Sequence, residues 1–378
     1  MVAVASVVVA VGTATGMLSA LDDRHGSDEA RPGLVSGSPS RSSPSAVPSA
    51  SPPVSPSPSS SASASGNGKA SASPSPSPRK ASPGSAKARP TTRLYRHPDS
   101  QVLDWVRDHP GDWRTRVIAA RIADRPAAVW FADYTPATIA SRVRAVTSGG
   151  AAQGRVPVLV PYAIPDRDCG GASEGGAPDL GAYDAWIDRF AAGLGSTEVV
   201  VVLEPDSIAQ SDCLSDAGRA ARFASLARAG RVLKAANPRA RVYYDAGHSG
   251  WRPAAEQAAL LKQAGAASAA SSDGIFSNVS NFHTTSAEIA YDRRVLDALA
   301  GPSALGAVID TSRNGNGAPP DGEWCDPAGR KIGRPPTLST GEARIDAYLW
   351  VKLPGESDGC RGTPGTFSPS YAYDLAAP

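Results

Sequence analysis

Six short apolar runs recur along this chain of 378 residues, and each stops abruptly at polar or charged residues. They are 156–160 (VPVLV), 199–203 (VVVVL), 241–244 (RVYY), 275–279 (IFSNV), 307–309 (AVI) and 348–351 (YLWV). Continuous β-branched runs of this length fit strands buried on both faces, as in a parallel sheet. Between them lie Ala- and Leu-rich stretches with polar spacing, at 184–194, 217–236 and 253–264, which read as helices. Strand and helix in alternation predict a parallel α/β fold, either a barrel or a doubly wound sheet. In both, function sits beyond the carboxyl ends of the strands.

The core does not extend to the start of the chain. All 23 aromatic residues (Trp 7, Tyr 10, Phe 6) lie at or after Tyr95. Of the 55 residues from 36 to 90, 33 are Ser or Pro and none is Asp or Glu. Such a segment cannot bury enough apolar surface to offset its ordering entropy, so 22–92 reads as a disordered Ser/Pro-rich spacer. Residues 1–21 carry no charge and are apolar enough for a signal peptide or signal anchor, though the basic start of a signal is missing. The globular part is then 93–378, ample for one large core.

Near-neutral charge (+2 overall) excludes the electrostatics of a nucleic-acid binder. Four cysteines fall in the globular part: Cys169, Cys213, Cys325 and Cys360. No two are spaced as a CxxC pair, which disfavours zinc and thioredoxin-type chemistry. An even count behind an export signal suggests two disulfides. Three pairings are open, and the sequential one closes the shorter loops.

The strand ends collect acids. Asp168, Glu204, Asp206, Asp245, Asp310, Glu356 and Asp358 all lie there, with His248, Asn281, Arg313 and Lys352. There is no HExxH, GxSxG, Walker or Rossmann glycine pattern. A divalent cation held by carboxylates stays open at this point. The other chemistry that needs carboxyl groups and few histidines is glycoside hydrolysis, where one acid protonates the leaving oxygen and another group activates water. Trp130, Trp251, Trp324 and Trp350 near the strand ends suit stacking on sugar rings.

At these residues the sequence resembles glycoside hydrolase family six, the secreted cellulases of bacteria and fungi. The resemblance is carried, in order, by 162–169 (YAIPDRDC), 201–207 (VVLEPDS), 244–251 (YDAGHSGW), 278–282 (NVSNF), 310–315 (DTSRNG), 324–325 (WC) and 350–359 (WVKLPGESDG). It implies a distorted parallel β/α barrel of about seven strands and inverting hydrolysis of β-1,4-glucan without metal or organic cofactor. It implies a polysaccharide partner, a monomer, and a secreted location, with tethering through residues 1–21 as the variant.

By the same resemblance Asp206 is the general acid. Asp168 raises the acid's pKa and helps to place water. Asp358 is the candidate base, with a water chain that includes Ser173 as the other route. An inverting pair needs about 6.5–9.5 Å between carboxyl groups to admit water. Tyr162 favours a distorted sugar, and Asp245 holds the site together. His248, Asn281, Arg313, Lys352 and Glu356 bind sugar, while Trp130, Trp251 and Trp324 are stacking platforms. The pairs Cys169–Cys213 and Cys325–Cys360 match the family's disulfides. Glu204 and Asp310 are read as structural and Asp166 as exposed; the structural alternative for Asp358 is an ion pair with Lys352 or Arg361, near it in sequence. The chain ends 20 residues after Asp358, which leads to the expectation of an open cleft and internal cutting rather than a cellobiohydrolase tunnel. No cellulose-binding module is visible. A non-catalytic glycan-binding wall protein on the same barrel is the alternative from another class.

Overall fold

The computed structural model describes residues 93–378; the apolar leader (1–21) and the spacer (22–92) lie outside the described residues. Seven strands form one sheet in sequential order, every neighbouring pair parallel. They are β1 (Val129–Phe131), β2 (Val158–Pro161), β3 (Val199–Leu203), β4 (Ala240–Asp245), β5 (Gly274–Ser277), β6 (Gly306–Asp310) and β7 (Ile345–Leu349). The eight α-helices of this region are α1 (Gln101–Asp108), α2 (Thr115–Ile118), α3 (Ile139–Ala152), α4 (Leu180–Ala191), α5 (Asp216–Ala236), α6 (Ala254–Gln263), α7 (Thr285–Leu299) and α8 (Pro369–Ala376). Sequential strand order with helical crossovers curls the sheet into the expected barrel.

The barrel closes without a seventh ladder. Among the described residues, its two edges are joined by the Ala128 N–H to the Trp350 carbonyl (2.9 Å) and the Trp130 indole N–H to the Val351 carbonyl (2.7 Å), at the ends of β1 and β7. Residues alternate strictly between the two faces. Val158, Val160, Val200, Val202, Tyr243, Phe276, Val308 and Leu349 fill the interior. Leu159, Val199, Val201, Leu203, Val242, Tyr244, Ile275 and Ile309 pack outward under the helices. Both faces are dry, which is why the strands read as unbroken apolar runs. A smaller core joins α1, α2 and α8 around Ile118, Ile122, Leu353, Ala372 and Trp350. Trp350 is therefore a core residue, its indole bonded to the Arg334 carbonyl (3.1 Å), rather than a sugar platform.

Helix starts follow side-chain capping. Asp179, Ser215, Thr284 and Ser368 accept N–H bonds from the first turns of α4, α5, α7 and α8. In α5, Gly230 is a packing requirement: a Cβ there would collide with the Tyr244 hydroxyl and the Ser271 carbonyl. Gly230→Ala should therefore destabilise the protein by about 1–3 kcal/mol, as overpacking does. Denaturant unfolding checks this; an unchanged midpoint would show that α5 can move off β4.

Candidate active site

Loops leaving the carboxyl ends of the strands surround a cleft of about 1230 Å³. Its floor and walls include Trp130, Tyr162, Asp168, Asp206, His248, Trp251, Asn281, Trp324, Lys352, Glu356 and Asp358. Eleven of the thirteen predicted catalytic and sugar-contacting residues thus meet in one place, drawn from positions 130 to 358. The two others, Asp245 and Arg313, are buried behind the wall.

Asp206 sits half-buried on the floor, in a left-handed backbone conformation (φ 69°) just after β3. Burial pushes its carboxyl well above the ordinary range, and the Asp245 and then the Asp168 carboxylates push it further. Asp168 thus contributes, but after desolvation and after Asp245, a neighbour to which sequence reasoning gave only a structural part. Asp168 is itself placed by strain. Asp166, Asp168 and Cys169 all have positive φ (52°, 58° and 49°), a conformation that costs about 1–3 kcal/mol per non-glycine residue. Asp168 Oδ2 accepts the Ser173 N–H (2.7 Å), and a Cβ on Gly171 would lie 2.5 Å from that oxygen, so a larger residue there would displace the Asp168 carboxyl. Asp166 is exposed, as expected.

Arg167, which sequence reasoning passed over, ties this loop down. Its guanidinium bonds the Ala132 (2.7 Å), Ser173 (2.8 Å) and Tyr162 carbonyls and lies over the Tyr162 ring (4.5 Å). Tyr162 also meets Trp130 edge to face (5.3 Å). Burial, then Asp206 and Asp168, raises the Tyr162 phenol, so it stays a hydrogen-bond donor among acids.

Four buried acids hold the loops from behind. Glu204 accepts the Ala163 (2.8 Å) and Ile164 (3.0 Å) N–H groups. Asp245 accepts those of Ile208 (3.1 Å), Ala209 (2.8 Å) and Gly247 (2.9 Å). Asp310 accepts those of Ser280 (3.2 Å), Ser312 (2.9 Å), Val351 (3.3 Å) and Lys352 (3.1 Å). Asp326, absent from the sequence reading, accepts the N–H groups of Asp358 (2.8 Å), Cys360 (3.0 Å) and Arg361 (2.9 Å) and the Ser357 hydroxyl (2.6 Å). Its only sequence signal was its place one residue after Cys325.

Asp358 is held by charge. Its Oδ2 takes Arg313 Nη1 (2.6 Å) and the Asp326 N–H (3.1 Å), and its Oδ1 faces Lys352 Nζ (3.4 Å). The main partner is thus Arg313, distant in sequence, beside the anticipated Lys352; Arg361 pairs with Asp374 instead (2.7 Å). Arg313 is fully buried under Phe282 (4.4 Å) and also bonds the Ser280 carbonyl, so it reaches a sugar only through Asp358. That corrects its assignment as a sugar contact. Beside them burial lifts Glu356 to about 7, against the opposing pull of Lys352 and Arg313. His248 stacks on His283 (4.2 Å) and lies near Trp251 (5.2 Å); burial drops His248 to about 3. Disulfides Cys169–Cys213 and Cys325–Cys360 have the expected pairing, next to Asp168 and Asp358 respectively. Among the described residues no cluster of His, Cys, Asp or Glu is arranged to hold a metal ion.

The model of the glycosyl hydrolases family 6 matches residues 90–374. The chain belongs to glycosyl hydrolase family 6. It is 52% identical over 290 residues to endoglucanase 1 of Streptomyces sp. (strain KSM-9), covering 76% of this chain and 79% of that one. It is 50% identical over 297 residues to endoglucanase A of Thermobispora bispora, covering 78% of this chain and 64% of that one. Among solved structures, the endoglucanase Cel6 of Mycobacterium tuberculosis, determined with methyl-cellobiosyl-4-deoxy-4-thio-β-D-cellobioside, superposes with TM-score 0.69 at 40% identity, over 75% of this chain and 96% of that one. Within this family 6 chain the strand-end acids thus divide into a cleft set and a scaffold set.

Glu204 gives the scaffold a pH signature. Burial raises it to about 7, while the Ile164 and Ala163 N–H groups pull the other way. The native state therefore binds a proton that the unfolded chain releases in the ordinary carboxyl range. Its contribution is full below that range and is lost as pH rises through about 7, a fall of about 3 kcal/mol. Glu204→Gln should flatten this part of the stability–pH curve, measured by urea unfolding from pH 4.5 to 8.

Proposed function

We propose that this chain is an exported, monomeric endo-β-1,4-glucanase that cleaves cellulose or a soluble β-glucan with inversion. The observation that carries the reading is Asp206: a carboxyl held in its acid form, on the floor of a cleft lined by Trp130, Trp251 and Trp324. A protonated acid of this kind can give its proton to a glycosidic oxygen. Pure glycan binding has no use for one, which sets aside the reading as a wall-anchoring protein. The 50–52% identity to two endoglucanases supports the same substrate class.

In this mechanism the indole faces stack on successive glucose rings, and Lys352 and Glu356 bond hydroxyl groups. Tyr162 crowds the ring at the point of cleavage and favours its distortion. Asp206 protonates the leaving oxygen while water attacks C1 from the opposite face. The proton of that water passes along a water chain that includes the Ser173 hydroxyl to Asp168, whose Oδ2 accepts the Ser173 N–H. Asp358 is less suited to take it, because Arg313, Lys352 and the Asp326 N–H already compensate its two oxygens. Its part is to hold Lys352 in place.

Internal cutting is supported by the rim. Trp324 stands 59% exposed, and the segment after Asp358 folds back on itself through Ser357 N–H to Thr366 (2.9 Å) and Gly365 N–H to Ser357 (2.9 Å). A cellobiohydrolase of the same family would need loops that arch over the cleft. Export fits two disulfides and no free cysteine among the described residues. Residues 1–21 would direct it, by cleavage or as a tether.

Asp206→Ala should lower kcat by about 10²–10⁴-fold while retaining the binding of cello-oligosaccharides. Unchanged turnover would remove Asp206 as the acid. On carboxymethyl cellulose the full chain should cut viscosity quickly while releasing few reducing ends. Reducing ends with little viscosity loss would mean action from chain ends instead.

A further inference from the structure

Helix α7 buries two acids one turn apart, Glu288 and Asp292, on the face turned to the barrel. Both are fully inaccessible, and between them they bond two site loops. Glu288 Oε1 accepts the Ser249 N–H (2.9 Å), in the loop that carries His248 and Trp251. Asp292 Oδ2 accepts the Ser277 hydroxyl (3.0 Å), at the end of β5 and just before the loop with Asn281. The other oxygen of each, Glu288 Oε2 and Asp292 Oδ1, has no hydrogen-bond partner.

Among the described residues no cation compensates the pair. Arg252, at the start of α6, is committed to Asp212 and the Ala209 carbonyl (3.0 Å). Arg293 turns outward to Glu342 (2.9 Å). His248 and His283 are held below their ordinary range by burial and carry no charge at neutral pH. The remaining titratable neighbours, Asp245 on β4 and Tyr291 on α7, are an acid and a phenol; Tyr291 bonds the Ala246 carbonyl (3.1 Å). Burial pushes both carboxyls up, and the Glu288 charge pushes Asp292 further. Two uncompensated charges one helical turn apart in a dry site are unfavourable, and one shared proton removes the conflict.

We propose that Glu288 and Asp292 share one proton and act as positioning residues that fix the loops after β4 and β5, and with them His248, Trp251 and Asn281, for glucan binding. The inference rests on the reading of the cleft as a glucan site. While the proton is present, both loops are anchored to α7. Its loss at high pH places two negative charges side by side, loosens the Ser249 and Ser277 contacts, and weakens binding on that wall.

The test uses the full chain and a soluble β-1,4-glucan, with kcat and KM measured separately against pH. In the parent, KM should rise on the alkaline side with a smaller change in kcat. In Asp292→Asn and in Glu288→Gln the amide replaces the neutral acid, and the alkaline rise in KM should shrink to the part that Glu356 alone produces. Glu288→Ala leaves the Ser249 N–H without its acceptor and should raise KM about tenfold at every pH. Glu356 titrates in the same cleft in every variant, so the difference between profiles isolates the pair. Superposable KM profiles for the parent and both amide variants would overturn the proposal, even if the variants melt at lower temperature. A second readout needs neither turnover nor a variant. The protection factor of the Ser249 amide against hydrogen exchange should fall in the parent as pH rises. A pH-independent protection factor counts against the proposal whether or not the chain cleaves glucan; a chain that shows the fall but cleaves no glucan loses only the catalytic reading.

Discussion

Buried carboxylates that accept loop N–H groups are the interaction on which this structure depends. A parallel barrel sends every strand into a loop at the same end, and those loops carry amide donors that helices and ladders do not satisfy. Glu204, Asp245, Asp310 and Asp326 take twelve such groups between them, ten drawn from the loops that carry the site and two from Cys360 and Arg361 just beyond it. Each N–H bond favours the charged form and offsets part of the cost of burial, which still raises the carboxyls of Glu204, Asp245 and Asp310 above the ordinary range. Between β1 and β7 there is no ladder, and the bonds of Ala128 and Trp130 to the carbonyls of residues 350 and 351 join the two edges.

The same arrangement generates the chemistry. Crowding acids at one end of a barrel makes each additional charge unfavourable, and the one with fewest donors keeps its proton. Asp245 has three backbone N–H partners and Asp168 has one, whereas no N–H or cation is aimed at the Asp206 carboxyl among the described residues. Asp206 therefore remains the acid. Asp358, at the opposite extreme, is compensated by two cations. Left-handed residues at Asp168, Glu204, Asp206 and Ser280 show that the loops carry backbone strain where they turn into the cleft. The disulfides and the buried clamps hold it there.

Six of the seven strands were legible, because a strand buried on both faces must be apolar throughout, and β3 was read to the residue. β1 was missed: three residues, VWF, are too few for a pattern. Helix α3 was missed because its end, SGGAA, reads as a turn; Gly150 is there so that the helix can approach Pro157. In the site, LEPDS was readable because its acids come directly after an apolar strand, whereas GESDG, beyond the end of β7, was read from the family resemblance. Arg167 and Asp326 were not, since a loop residue that binds carbonyls or amides far away in the sequence leaves no periodic trace.

The order of the chain by itself determined the fold class, the end of the sheet where the site lies, and the group of acids and tryptophans that meet there. Each is a local property: which residues are apolar, where a run stops, and which side chains come directly after it. Only the tertiary structure decided what keeps Asp206 protonated, which amides each buried acid clamps, and that Arg313 lies beneath the cleft as the partner of Asp358. Those distinctions depend on distance and desolvation. Two carboxyl groups with the same local sequence character differ in proton affinity once one faces amides and the other faces acids, and the chain order encodes that difference only through the folded geometry.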